Sequence, residues 1–413
     1  MDWLGEVPAH WELCAIKRLA QLQSGDSITA ESIEADGEYP VFGGGGQRGF
    51  ASGFTHDGEY VLIGRQGALC GNVNYGRGRF WASEHSVVAT PIRSLETLWF
   101  GELLRAMNLN QYSVSAAQPG LSVEVLSRLQ ACVPPLNEQR AIAAFLDRET
   151  VKIDALVAEQ RRLMDLLKEK RQAVISHAVT KGLNPDAPMK ASGVEWLGEV
   201  PAHWRVVALK RVADVRTGVA KGKDTHGVQT ITVPYLRVAN VQDGYLDLDV
   251  VAEMAIPAVD LARYTLRRGD VLMNEGGDFD KLGRGHVWDG QIDPCITQNH
   301  VFAVRPRQIA SAWLNALTGS DYAQFYFMTR SKQSTNLASI SSTNLMELPV
   351  LLPSTAEQGQ VLEFLSKTQS TFDALLDVTK HAIDLLLARR AALISAAVTG
   401  QIDVRGLAPA EAA

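Results

Sequence analysis

The nonapeptide WLGEVPAHW occurs at Trp3–Trp11 and again, unchanged, at Trp196–Trp204. An identical internal repeat constrains the fold more than composition does, because one local sequence must be built twice by the same physics. The copies run on as Cys14-Ala-Ile-Lys-Arg-Leu-Ala and Ala208-Leu-Lys-Arg-Val-Ala, and each reaches a small-residue pair, Ser24-Gly25 and Thr217-Gly218. They then diverge. Similarity returns with PPLNEQRAIAAFLDRETVKIDAL from Pro134 and LPSTAEQGQVLEFLSKTQSTFDAL from Leu352. Here Glu138-Gln139 answer Glu357-Gln358 and Asp154 answers Asp373, and AVISHAVTKG (Ala173–Gly182) later answers ALISAAVTGQ (Ala392–Gln401). The offset is 193 at the start and 219 at the end, so the second variable region is the longer. The order is variable, helix, variable, helix.

From Glu138 to Thr180 there is no Gly or Pro, and strong helix formers dominate. Pro134-Pro135 precede this segment and Gly182 with Pro185 come after it, which predicts one long helix. Heptads read from Ile142 put Ile142, Leu146, Ile153, Leu156, Leu163, Leu167 and Val174 on one stripe. The second copy offers Val361, Leu365, Phe372, Leu375, Ala382, Leu386 and Leu393, and polar interruptions coincide at Gln160 with Thr379 and Lys170 with Arg389. Two stripes in register within one chain most simply pack on each other. A helix of this length spans roughly 65 Å at ~1.5 Å per residue. The connection from Lys181 to Glu195 reaches at most about 50 Å when fully extended. A parallel pair would require the chain to return the whole helix length. The expected arrangement is therefore an antiparallel coiled coil carrying two globular domains related by a pseudo-twofold axis.

The chain of 413 residues, 46% hydrophobic and 21% charged, suits a soluble protein of two to four domains. No apolar run approaches the ~18 residues of a membrane span. The N-terminal MDWLGEVPAH lacks the regions of a signal peptide, so a cytoplasmic location is expected. Cys14, Cys70, Cys132 and Cys295 are scattered without a CxxC, which favours reduced thiols over zinc or disulfides. The net charge of −6 argues against a freestanding nucleic-acid binder. Residues 1–135 carry 9 basic and 14 acidic side chains, and residues 187–353 carry 17 of each. Any contact with DNA must come from local patches or with a partner's help.

The variable regions read as mixed α/β, with strands expected at Tyr60–Gly64, Ser86–Thr90, Tyr235–Val238, Asp270–Met273 and His300–Val304. Short helices are expected at Leu95–Leu109 and Ala310–Thr329. Gly44-Gly-Gly-Gln-Arg-Gly49 formally fits GxGxxG, but a dinucleotide or S-adenosylmethionine site needs a helix directly afterwards. Phe50-Ala-Ser-Gly-Phe-Thr-His-Asp-Gly reads instead as loop, so a surface loop is expected there. There is no P-loop, no Asn-Pro-Pro-aromatic or Asp-Pro-Pro-aromatic tetrapeptide, and no HExxH. No catalytic or metal-ligating constellation is found.

What remains are polar and basic side chains among glycines and aromatics. The first region offers Gln47, Arg48, Arg65, Gln66, Asn74, Tyr75, Arg77 and Arg79. The second offers Lys221, Lys223, Arg237, Asn240, Lys281, Arg284, Gln298, Asn299, Lys332 and Asn336. Arg reads guanine edges, Asn and Gln read adenine, and Lys holds phosphates, so these are candidate DNA contacts. Taken singly, each is more often a solvated surface group, and it is their concentration in Gly-rich segments of both variable halves that favours the contact reading.

The duplicated WLGEVPAHW, the stretch Pro135–Asp147, IDAL (Ile153–Leu156) against FDAL (Phe372–Leu375), and Lys170–Asp186 against Arg389–Val404 together resemble the specificity subunits of Type I restriction–modification enzymes. YPVFGGGGQRGF, YVLIGRQGALCGNV and GDVLMNEGG are similar to that family's target-recognition domains. The resemblance implies target-recognition domains at 1–135 and 187–353, with conserved helices and their tails at 136–186 and 354–413. Each domain would read half of a split double-stranded DNA site. The helices would set the spacing and dock two methyltransferase subunits, with motor/nuclease subunits joining. S-adenosylmethionine and ATP would belong to those partners and no cofactor to this chain. Relative to the family the chain starts close to its first Trp, and Gly359-Gln360 replace Arg140-Ala141 in the second helix. The competing readings are a coiled-coil scaffold without nucleic-acid function and a stand-alone methyltransferase using the GGGQRG segment.

Overall fold

A nine-residue strand with apolar side chains on both faces organises the first half of the chain. In the computed structural model, which describes residues 6–113, 120–222, 227–277, 282–283, 285–333 and 338–406, two units separate. One is Met1–Arg162 with Lys380–Ala413, and the other is Leu163–Thr379.

The first unit holds β1 (Glu12–Ala15), β2 (Ala20–Ser24), β3 (Tyr39–Gly43), β4 (Gly46–Ala51), β5 (His56–Gly64), β6 (Val73–Ala82), β7 (Ser86–Pro91), α1 (Thr97–Ala106), α2 (Val123–Arg128) and β8 (Gln130–Val133). Six strands form one sheet in the order β2-β7-β5-β6-β3-β4, with only β3 and β6 parallel. Alternation along β5 sends Val61 and Ile63 into the main core with Trp99, Phe100 and Leu103 of α1. Leu62 faces a smaller core of Phe80, Ala82 and Val88. The long helix α3 (Leu136–Lys181) begins here and ends in the second unit.

The second unit adds β9 (Met189–Ala191), β10 (Glu199–Pro201), β11 (Arg205–Ala208), β12 (Ala213–Thr217), β13 (Thr230–Leu236), β14 (Ala252–Pro257), α4 (Leu261–Tyr264), β15 (Val271–Asn274), β16 (Gly276–Gly277), β17 (Gly285–Val287), β18 (Ile296–Thr297), β19 (Val301–Pro306), α5 (Ser311–Thr318), α6 (Asp321–Arg330), β20 (Lys332–Gln333), β21 (Ala338–Ser339), α7 (Ser342–Met346) and β22 (Pro349–Leu352). Its larger sheet has the order β12-β19-β15-β17, beside smaller ones ordered β14-β13-β18 and β16-β21-β20. The second long helix, α8 (Thr355–Val398), starts here and finishes in the first unit.

The two units use one frame. β2 pairs with β7 from Ala20↔Pro91 to Ser24↔Val87, and β12 pairs with β19 from Ala213↔Pro306 to Thr217↔Phe302. The repeated nonapeptide has the same task in both. His10 Nε2 meets Glu138 Oε1 at 2.8 Å, and His203 Nε2 meets Glu357 Oε2 at 2.9 Å. The adjacent glutamine turns back on the body: Gln139 accepts from the Glu96 amide and donates to the Pro134 carbonyl, as Gln358 does with Ala310 and Pro353. Trp11 and Trp204 are buried beneath these bridges, Trp204 edge-on to Trp313 at 5.7 Å. Each long helix ends on a glycine in the left-handed region, Gly182 at φ +77° and Gly400 at φ +78°. A β-carbon on Gly182 would press on Trp204, and one on Gly400 would strike Pro8 and Trp11.

Within the first unit, Ile142 and Leu146 near the start of α3 share a core with Ile394, Ala397 and Val398 at the end of α8, and Arg390 bridges Asp154 at 2.9 Å. Within the second, Ala178 and Val179 share a core with Val361 and Leu365, and Arg171 bridges Asp373 at 3.0 Å. The heptad reading needs one correction. Ile142, Leu146, Ile153, Val361, Leu365 and Phe372 are buried and Leu167, Leu386 and Leu393 half-buried, but Leu156, Leu163 and Leu375 are exposed. The inward stripe runs through Val157, Met164 and Leu376, with Thr379 and Ile383 buried beyond it. Leucine pulled the reading one residue out of phase, because an apolar residue on either side of the seam fits a heptad equally well.

Three other expectations change. Ala310–Thr329 is two helices, α5 and α6, broken at Gly319-Ser320, where Ser320 caps α6 through the Ala323 amide. Gly46–Gly49 is not loop but part of β4, in a hairpin with β3. β13 starts five residues before Tyr235 and stops at Leu236. The four cysteines are buried free thiols, and burial raises their pKa values, that of Cys295 to about 12. No helix among the described residues is long and apolar enough to cross a membrane.

Candidate nucleic-acid interface

In each unit the interface candidates gather where a glycine lets two backbone segments touch. A β-carbon on Gly25 would overlap the carbonyls of Ala82 and Ser83, and one on Gly218 those of Thr297 and Gln298. The Asp26 amide donates to the Ala82 carbonyl at 2.9 Å and the Val219 amide to the Thr297 carbonyl at 2.8 Å. This contact fixes the turns Ser83–Ser86 and Gln298–Val301 at one end of each sheet.

In the first unit the β3–β4 hairpin packs on that turn, since a β-carbon on Gly44 would approach the His85 carbonyl and the Arg65 amide. Gln47 and Arg48 are exposed on β4, and Gln66 is exposed beside them in the chain segment after β5. Arg65 is half-buried and donates from Nη1 to Ser24 Oγ at 3.1 Å. Asn74 lies against the hairpin at Gly46, its Nδ2 buried with no hydrogen-bond partner among the described residues. Five candidates thus lie on the β3–β4 hairpin, against it, or in the segment after β5 on which it packs.

The other three separate from them. Tyr75 points inward: its hydroxyl donates to Glu102 Oε1 at 2.9 Å, and burial, then the Glu102 charge, pushes its pKa well up. It joins α1 to the sheet, which corrects its reading as a ligand contact. Arg77 is exposed on the helix side of the sheet, in a groove shared with Arg140 and Asp147 of α3. Arg79 pairs with Asp57 at 3.0 Å and lies 5.0 Å over the Phe54 ring.

In the second unit Gln298 and Asn299 form the turn itself, and Lys221 is exposed two residues beyond Val219, which bridges to Gln298. Lys332 is exposed on β20, in the small sheet that contains β16. Asn240 is a second correction. It is buried, donates from Nδ2 to the carbonyls of Asp247 and Val250, and accepts the Arg237 amide, so its amide group is committed to the fold. Arg237 is half-buried and reaches the same Val250 carbonyl at 3.4 Å. Lys223, Lys281, Arg284 and Asn336 lie outside the described residues.

Glu275 and His300 also stand at this end of the second unit, 3.3 Å apart, and were not singled out from sequence. YVLIGRQG set against DVLMNEGG contains the signal, because it puts Arg65 opposite Glu275. Among the described residues no group of three His, Cys, Asp or Glu side chains converges as a metal site would require. The arrangement offers donors and acceptors at the ends of two sheets, suited to recognition by hydrogen bonding.

Comparison with known proteins agrees with this picture. Residues 8–161 match the model of the type I restriction modification DNA specificity domain. The chain is 46% identical over 134 residues to the type I restriction enzyme EcoprrI specificity subunit of Escherichia coli, an alignment covering 32% of this chain and 33% of that protein. It thus spans about a third of that relative. With the MjaVIII specificity subunit of Methanocaldococcus jannaschii it is 22% identical, over 97% of this chain and 95% of the other. Among solved structures, a chain from a study of complex assembly and conformational transition of the type I R-M system shares the fold at a TM-score of 0.69 and 15% identity, covering 96% of this chain and 100% of that one.

Proposed function

We propose that this chain, whose residues 8–161 match the model of the type I restriction modification DNA specificity domain, is the non-catalytic, sequence-reading subunit of a type I restriction–modification system. Each unit reads one half of a bipartite double-stranded site. One observation carries this reading. The two units keep the same strand registers and the same histidine–glutamate seat, while the side chains at the free end of each sheet differ. A duplicated frame with unlike ends suits two unlike half-sites, where a symmetric dimer would read a palindrome.

In this reading α3 and α8 run antiparallel as a coiled coil, relate the units by a pseudo-twofold and set the gap between half-sites. The bridges Asp154–Arg390 and Arg171–Asp373 support that direction, since the later residue on α3 meets the earlier one on α8. Two methyltransferase subunits dock on the outer helix faces. Leu156 with Leu375, and Leu166 with Leu385, are equivalent exposed leucines that a pair of identical partners would cover. Those partners bring S-adenosylmethionine, and motor/nuclease subunits bring ATP. They also supply phosphate grip that a chain of net charge −6 lacks. The assembly works in the cytoplasm.

The test is a domain exchange. Residues 12–133 are replaced by the first variable region of another family member, and methylated sites are mapped in cells making the whole complex. One half of the target should change and the other persist. Change in both halves, or in neither, defeats the two-reader account.

A further inference from the structure

The segment after β5 and the segment after β15 are clamped identically. The Arg65 amide donates to the His85 carbonyl at 2.9 Å, and its carbonyl accepts from the Leu121 amide at 2.9 Å. The Glu275 amide donates to the His300 carbonyl at 2.9 Å, and its carbonyl accepts from the Ile340 amide at 2.9 Å. The residue after each clamping amide is a helix-capping serine, Ser122 or Ser341. Backbone and neighbours are therefore shared, and the side chain is reversed in charge. Core packing would keep the residue type at such a position. A solvated surface site would not fix its peptide group on both sides.

We propose that Arg65 and Glu275 are equivalent base-discriminating positions, Arg65 favouring guanine in one half-site and Glu275 favouring cytosine in the other. This rests on the DNA-reading function proposed above. A guanidinium matches the two acceptors of the guanine major-groove edge, and a carboxylate accepts from the cytosine amino group. Among the described residues one neighbour steers each side chain. Ser24 takes one of the five Arg65 donors, and His300 Nδ1 holds Glu275 Oε2 at 3.3 Å while the Glu275 side chain stays partly exposed.

The experiment uses the complete complex. Methylated sites are sequenced from cells carrying Arg65→Gln, Glu275→Gln or Arg65→Lys, and the purified complexes are used in parallel to enrich a randomised DNA pool. Each glutamine variant should change or relax one position by about tenfold to a hundredfold, in the half belonging to its own unit. Arg65→Lys should keep the guanine preference in weakened form. If methylation is abolished, the enriched pool decides by the same criterion. A target unchanged at every position, or changed in the opposite half, overturns the assignment. A wild-type complex that methylates no split target would instead sink the reading beneath it.

Discussion

Asp270 is almost fully buried, and Arg305 grips it with two hydrogen bonds of 2.7 Å from Nε and Nη2. The carboxylate also accepts the Arg267 amide, so the pair fastens the start of β15 to β19. Asp270→Ala strands a buried guanidinium and should cost about 3–5 kcal/mol, read as a lower unfolding midpoint. Asp270→Asn, which keeps the shape and part of the bonding, should cost less. At this scale the sequence is least legible. Asn240 shares its residue type with the exposed-end candidates Asn74 and Asn299, and for it as for Tyr75 nothing local separates a polar tip facing solvent from one satisfied inside. What distinguishes them is the partner: Asp247 and Val250 for one, Glu102 for the other. For Tyr75 that partner arrives from α1, a different element.

The first long helix was readable because the absence of Gly and Pro from Glu138 to Thr180 and the flanking breakers are local facts, and the second, which contains Gly359, because it repeats the first. Their seam was readable only to within one residue. The difference can be measured. Val157→Asp places a charge in the seam and should destabilise the protein by about 3 kcal/mol. Leu156→Asp, one position along on the exposed face, should leave stability within about 0.5 kcal/mol yet weaken association with the methyltransferase subunits proposed as partners. Equal loss of stability in the two variants would put Leu156 back in the seam. The break between α5 and α6 was hidden for a related reason. Gly319 costs a helix only about 1 kcal/mol, so it signals a break weakly until Ser320 is seen to cap the second helix.

At the scale of the molecule, the repeat announced two copies of one unit, and the strand registers bear that out far into sequence that had seemed unrelated. Val61 and Val271 share no flanking identity beyond a short apolar run, yet both face β7 or β19 at the same rung. Sheet order needs long-range pairing that periodicity does not encode, and this is why only the individual strands could be placed. The packing of Gly400 against Pro8 and Trp11 repeats that of Gly182 against Trp204. In the second unit a continuous peptide joins the two sides of this contact, whereas in the first they come from distant parts of the chain. The order of parts along the polypeptide is thus cyclic. A permuted chain, opened after Gly182 and joined by a short linker from the segment after Val404 to Pro8, should fold and direct methylation to the same target. For a lineage that gains from new targets, such a layout lets halves be recombined at either seam without redesigning what holds them.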